Sequence, residues 1–478
     1  IRSAPVWLSR PALPLIVVLE VDPMDPGRYR TSGGWRAFEV MEETIEVSGG
    51  ESRRERYRRT VWGPVGGEDP VLGLVAIRWV AHHPGAVNLG MLELEGVGSV
   101  AEALELAPRC GTPVQNLLVG DRDGGLGWTL MGRLPRREGH DGSAPVQWSE
   151  AGDGAPGLVE PSAHPRWVAR RGDSQWTANN RILGTPDYLR LGVWGTDVGA
   201  RGRQIRDGLA ALSSPVREED LLSIHRDDRA RFLSRWQELA VAAVPWGGGL
   251  TDGGRAEEAL RVLRDWGARA AVDSAGYALV RRFRWEVMRR VLAPVVERVE
   301  RSGGTNRLVR VGWSERQEGV VWDLLQERPA HLLNPKFASY EALVGDALWE
   351  VVREWDATPG GLGGVTWGAA NTVRIQHPLS RALPALARWL DVAPRPLPGD
   401  DHMPRVQGRR FGVSQRLVVS PGHEDRGIFH MPGGQSGHFL SPFYRAGHVA
   451  WEEVQASPLL GGARAHLIRL EPAGGGGG

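Results

Sequence analysis

The sequence has 478 residues, 41% of them hydrophobic and 24% charged, with a formal net charge of +1 at pH 7. These are globular values without a global basic field, which excludes wholesale disorder and argues against nucleic acid as the main partner. Cys110 is the only cysteine and Lys336 the only lysine, which excludes an intrachain disulfide, a cysteine-rich metal site and a Gly-x-x-x-x-Gly-Lys phosphate loop.

The chain opens IRSAPVWLSRPALPLIVVLEV, where Pro11 and Pro14 interrupt an apolar patch and Glu20 ends it. That patch has no small-residue cleavage site, so no signal peptide is read there. No run approaches the ~20 apolar residues of a membrane-spanning helix. Residues 15–135 read mostly as strands: LIVVLEV (15–21), AFEVMEETIEV (37–47) and LGLVAIRWVA (72–81) are apolar, β-branched or partly alternating. SVAEALELA (99–107) predicts a short helix capped by Ser99. QNLLVGDRDGGLGWTLMGRLPRR (115–137) predicts a hairpin about an Asp-Arg-Asp-Gly-Gly turn. Cys110, with no His or Arg cluster beside it, reads as an inert thiol.

From 138 to 170 the Gly, Pro, Asp and His content predicts a long surface loop, and TANNRI (177–182) follows it. Two readings of its paired asparagines stand side by side. Asn is the commonest non-glycine residue in left-handed turns, and an Asn amide held rigidly can donate to a developing oxyanion. Residues 198–358 then show repeated amphipathic helical patterns, with WGGGLTDGGR (246–255) and RSGGTNR (301–307) as separating loops. From 359 to 470 short strands and Gly/Pro turns return, and the tail 471–478 is a Gly-rich, low-complexity end. Strands, an inserted helical block and strands again predict one α+β body over 1–478. The tryptophans, spread across the chain, read as core or helix-packing residues.

Several stretches with apparent chemistry read as structural. GQSG (434–437) is not a nucleophile elbow, because Gly-x-Ser-x-Gly needs a residue between Ser436 and the second glycine. His82, His83, His423, His430, His438 and His448 show no metal-binding helical spacing. Asp400-Asp401-His402 reads as a polar turn after Pro398-Gly399.

Five stretches, in order, carry a family resemblance. FEVMEETIEV with TVWGPV (60–65), the hairpin beginning VQN, TANNRI, TWGAANTVRIQHPLS (366–380) and MPGGQSGHFLSPFY (431–444) together resemble the penicillin acylase (penicillin amidase) family of N-terminal nucleophile hydrolases. The likeness covers most of that family's larger chain, with Trp62 standing where the family usually has His. It implies part of a four-layer αββα fold with an inserted helical region. It also implies an amidase that hydrolyses linear amides through an acyl-enzyme on an N-terminal serine, with that serine's α-amino group as base. Asn179 matches the family's side-chain oxyanion donor and Arg201 its supporting arginine; Asn180 would fix the strand end and Arg181 would be structural. Substrates in the family are N-acyl amides, either β-lactam side chains or N-acyl homoserine lactones. No cofactor is required for the chemistry, a structural calcium occurs in the family without evident ligands here, and the family's export suggests a periplasmic or extracellular setting.

The family's larger chain opens Ser-Asn-x-Trp, and no such stretch is present; Ser3 lacks those neighbours. The sequence-level expectation is therefore an incomplete larger chain that lacks its nucleophile and its smaller-chain partner, with residues 1–14 compatible with a wrong start or reading frame. Such a chain is expected to be inactive alone and poorly stable, with an unpaired edge on its central sheet. Two alternatives accompany this reading. One is a non-catalytic remnant or binding protein of the same fold; the other, weaker, is a metal-dependent hydrolase built on the C-terminal histidines.

Overall fold

The computed structural model describes residues 2–6, 14–69, 71–142, 144–170, 172–191, 196–250, 253–303 and 317–470. The Gly-rich tail and parts of both predicted interhelical loops lie outside the described residues.

The amino-terminal strands are β1 (Arg2–Val6), β2 (Leu15–Val18), β3 (Arg28–Thr31), β4 (Gly34–Ala37), β5 (Glu39–Ile45), β6 (Arg53–Thr60), β7 (Gly63–Asp69) and β8 (Gly73–Arg78). Helix α1 (Val100–Leu106) follows, then β9 (Gln115–Gly120), β10 (Leu126–Met131), β11 (Val146–Gln147) and β12 (Arg166–Val168). They form a six-stranded sheet in the order β11-β2-β8-β7-β6-β5, a four-stranded sheet in the order β1-β9-β10-β12 and a separate two-stranded sheet of β3 and β4. The predicted hairpin is β9–β10, with Leu118 opposite Trp128 and Asn116 opposite Leu130. Ser99 caps α1 as expected, accepting from the Glu102 N–H at 3.2 Å.

Period-two alternation gives β9 two working faces. Leu117 and Val119 pack with Val100, Ala103 and Leu104 of α1. On the opposite face Leu118, Trp128 and Leu130 pack with Leu134, Trp167 and Ile182, so the segment after TANN rests on that side of the sheet.

The edge of the four-stranded sheet falls at β1 and not at β9. β1 runs antiparallel along β9, from Arg2 opposite Gly120 to Val6 opposite Asn116, with Ser3 opposite Val119. A strand edge presents backbone N–H and C=O groups, so any extended segment can pair with it whatever its side chains. The outer strands of this sheet are therefore β1 and β12.

The helical block contains α2 (Thr185–Leu191), α3 (Ala200–Ala210), α4 (Glu218–His225), α5 (Ser234–Ala243), α6 (Gly253–Arg264), α7 (Ala275–Gly303), α8 (Glu318–Glu327) and α9 (Tyr340–Asp356). The largest apolar core of the described residues lies here, where Trp236, Phe283, Leu348 and Trp349 are wholly buried. The first predicted loop is partly helical, since Val244–Leu250 forms a 3-10 turn against α9, where Trp349 Nε1 donates to the Val244 carbonyl at 3.0 Å. At the start of α9, Ser339 Oγ accepts from the Ala342 N–H at 3.1 Å, satisfying an N–H without a helical partner. Replacing Ser339 with Ala is expected to cost about 1 kcal/mol in urea unfolding, with kinetics unchanged.

The C-terminal region is less regular than the sequence suggests. Its strands β13 (Thr372–Val373), β14 (Arg395–Pro396), β15 (Arg416–Val418) and β16 (Ile428–His430) are two or three residues long and pair only two at a time. Dense proline and glycine remove donors and break ladders, leaving an irregular wrap around the helical core. Among the described residues, no helix is long and apolar enough to cross a membrane.

Candidate active site

The site begins with a polar residue in an apolar strand. Asn116 of β9 is fully buried. Its Oδ1 accepts from Trp128 Nε1 at 2.9 Å, and its Nδ2 donates to Thr177 Oγ1 at 2.9 Å. Both ends of the amide are satisfied, which a buried amide requires. Through this residue the β9–β10 hairpin fixes where TANNRI begins. Sequence reading included Asn116 in a matched stretch without giving it this role; its signal was an amide at a position that alternation would fill with an apolar side chain.

Asn179 itself has φ = 64°, in the left-handed region that Asn tolerates better than most residues. The left-handed reading of TANNRI thus holds at this residue, and the backbone there sets the side chain's direction. Asn180 holds the turn closed: its Oδ1 accepts from the Ala178 N–H at 3.0 Å and its Nδ2 donates to the Arg181 carbonyl at 2.9 Å. The Asp197 N–H donates to the Asn179 carbonyl at 2.8 Å.

Arg201, the second residue of α3, reaches back to this turn. Its Nη2 donates to Asn179 Oδ1 at 2.8 Å. Nε and Nη2 also donate to Asp197 Oδ2, at 3.2 and 2.5 Å. A guanidinium can only donate, so the amide atom facing it is the oxygen and Nδ2 is the donor end. Asp197, one helical turn before Arg201, holds the guanidinium in place and offsets its charge in a setting where both side chains are less than one-fifth exposed. α3 approaches this closely because residue 202 is glycine: a Cβ there would lie 2.5 Å from Asn180 Oδ1. Arg181 faces away, donating to the Leu183 carbonyl and Thr185 Oγ1 with its guanidinium 4.3 Å from the Tyr188 ring centre. The arrangement fixes which end of the Asn179 amide donates, and Asp197 is the member sequence reading missed.

The other candidates are engaged elsewhere. Ser436 Oγ accepts from the His438 N–H at 3.1 Å in a local turn. His448 Nδ1 lies 2.6 Å from the Pro432 carbonyl oxygen and its Nε2 3.1 Å from Glu452, while His430 contacts the Gln455 carbonyl. Cys110 is buried, and burial pushes its thiol pKa up, with Glu93 adding to the effect. Lys336 forms an exposed pair with Glu297. Trp62 is buried against Tyr29 and donates to the Gly152 carbonyl at 2.6 Å.

The expected turn at Asp400-Asp401-His402 is present, and its first and last residues are buried. Asp400 and His402 are both 2% exposed, and Asp400 Oδ2 accepts from Tyr277 Oη and Arg281 Nε, each at 2.7 Å. Burial opposes the Asp400 charge, but Arg281 and His402 outweigh it and hold the carboxyl below its usual range. Among the described residues, no three or more His, Cys, Asp or Glu side chains group to hold a metal ion.

The mixed α+β architecture is that of a known enzyme family. Over 96% of this chain and 88% of the other, the structure matches a thermostable penicillin G acylase from Alcaligenes faecalis with a TM-score of 0.65, at 18% identity. The penicillin amidase family model matches residues 15–465, and the chain belongs to that family. It is 27% identical over 441 residues to the penicillin acylase 2 proenzyme of Pseudomonas sp. (strain SE83), covering 87% of this chain and 53% of that protein. To the acyl-homoserine lactone acylase QuiP of Pseudomonas aeruginosa it is 22% identical over 485 residues, covering 88% of this chain and 55% of the other. The chain thus spans about half the length of these curated relatives.

Proposed function

We propose that this chain forms the larger-chain part of a penicillin-acylase-type amidohydrolase that cleaves linear amide C–N bonds of N-acyl substrates. The observation that carries the reading is the orientation of Asn179, whose amide oxygen is held by Arg201 and whose donor end is thereby fixed. In the proposed reaction, the Oγ of an N-terminal serine attacks the substrate carbonyl while the serine's own α-amino group takes its proton. The carbonyl oxygen becomes an oxyanion that accepts from Asn179 Nδ2 and from a backbone N–H. Collapse expels the amine, which takes the proton, and water then hydrolyses the acyl ester to release the carboxylic acid.

None of the 478 residues sits in a Ser-Asn-x-Trp context, so the reading takes the nucleophile, together with the smaller chain, from other polypeptide. The four-layer αββα arrangement belongs to the same reading. The names of the relatives support two substrate classes, penicillins and N-acyl homoserine lactones, and a periplasmic or extracellular setting accompanies them. A second reading is a non-catalytic binding protein of the same fold.

The test is a chimera in which the unmatched half of the Pseudomonas penicillin acylase 2 proenzyme precedes residue 15. Release of amine from penicillin G or an N-acyl homoserine lactone, with the chemical step unchanged after chelation, is the expected result. A chimera that melts cooperatively and binds these amides without cleaving them would establish the second reading, and activity abolished by chelation would indicate metal chemistry. In an active chimera, Arg201→Lys should lower kcat about tenfold with KM near the parent value, because one ammonium cannot serve both Asn179 and Asp197 in the fixed fork geometry.

A further inference from the structure

We propose that a cleft on the far side of α3 from Asn179 is a binding site for a small multivalent oxyanion, a polycarboxylate or a phosphate. The cleft has a volume of about 510 Å³ and is lined by Arg203, Gln204, Asp207, Arg231, Phe232 and Arg235, among others, a size typical of small-molecule sites. Ala200, Arg203, Gln204 and Asp207 fall on one helical stripe. Arg201 and Gly202, which face the Asn179 turn, lie about 100° and 200° around the helix from Ala200. The cleft is therefore distinct from the reaction site.

Its charge balance favours an anion. Asp207 Oδ1 accepts from Arg206 Nε and Nη2 at 3.0 and 2.7 Å, and its Oδ2 accepts from Arg231 Nη1 at 3.0 Å. Glu318, behind the cleft wall, is shared between Arg235 and Arg284. Among the lining side chains one carboxylate, Asp207, thus stands against three guanidiniums, and Arg203 has no ion pair among the described residues. Gln204, 2% exposed and donating to the Arg229 carbonyl at 3.2 Å, sets an uncharged floor beside Phe232. Planar guanidinium forks on opposing walls suit oxygens carried by one compact anion.

The test is calorimetric titration of the 478-residue chain with citrate and, separately, with inorganic phosphate. At least one should give a saturable isotherm that weakens with added NaCl, and whichever binds more tightly identifies the anion class. Arg203→Gln touches no fold-holding pair and should weaken that binding about tenfold or more. Asp207→Asn removes the cleft's carboxylate charge and should strengthen it. The exposed control Arg381→Gln should leave it unchanged. No saturable binding of either anion by the parent chain would overturn the proposal. So would equal binding by Arg203→Gln, or an Arg381→Gln effect as large as that of Arg203→Gln.

Discussion

Replacing Asn179 with Ala in an active chimera is expected to lower kcat by about 10²- to 10³-fold, or about 2.7–4 kcal/mol of transition-state stabilisation, the range for loss of one preset oxyanion donor. The effect should fall on kcat because the hydrogen bond strengthens as negative charge develops on the carbonyl oxygen. Alanine at φ = 64° also introduces backbone strain of about 1 kcal/mol, so Asn179→Gly is the cleaner variant: it keeps the turn and removes only the amide. Both variants should lose kcat to a similar extent. If Asn179→Gly kept the parent rate while Asn179→Ala lost it, the residue would matter for the turn and not for the oxyanion. Steady-state kinetics on one amide substrate decides between these outcomes.

Glu318→Ala is expected to destabilise the chain by about 3–5 kcal/mol in chemical unfolding, because it leaves a buried guanidinium without its counter-charge. Glu318 is 1% exposed, and the side chain of Arg284 is equally buried. Oε1 accepts from Arg235 Nη2 at 2.7 Å and Trp236 Nε1 at 2.6 Å, while Oε2 accepts from Arg284 Nε at 2.9 Å. This one carboxylate joins α5, α7 and α8 at the centre of the helical block. Replacing the pair with apolar residues, as in Arg284→Met with Glu318→Leu, should recover much of the loss, since the cost arises from the orphaned charge more than from the missing attraction. A single-variant loss below about 1 kcal/mol would show that water reaches Arg284 and that the network is not buried in solution.

Features set by neighbouring residues were legible in the sequence. Ser99 stands before an apolar helical pattern and caps it, and the Asp-Arg-Asp-Gly-Gly turn closes the β9–β10 hairpin. Family resemblance named Asn179 and Arg201 as site candidates, and the two side chains meet. What joins distant segments was not legible. Asn116 meets Thr177 across 61 positions, and Tyr277 meets Asp400 across 123; neither local propensity nor hydrophobic period encodes such pairs. The burial of Asp400 was illegible for the same reason, because the Pro-Gly-Asp-Asp turn is covered by a tyrosine and an arginine that arrive from another helix. Asp197 is a nearer miss, since its spacing from Arg201 is that of an ion pair along a helix, yet it lies before α3 begins.

The most direct test of the central claim is intact-mass measurement of the chimera during turnover of an N-acyl amide, quenched in acid. An N-terminal serine whose mass rises by that of the acyl group minus one hydrogen, with the adduct forming far more slowly after Asn179→Gly, is the expected result. An adduct on any other residue, or one forming at the same rate without the Asn179 amide, would contradict the account.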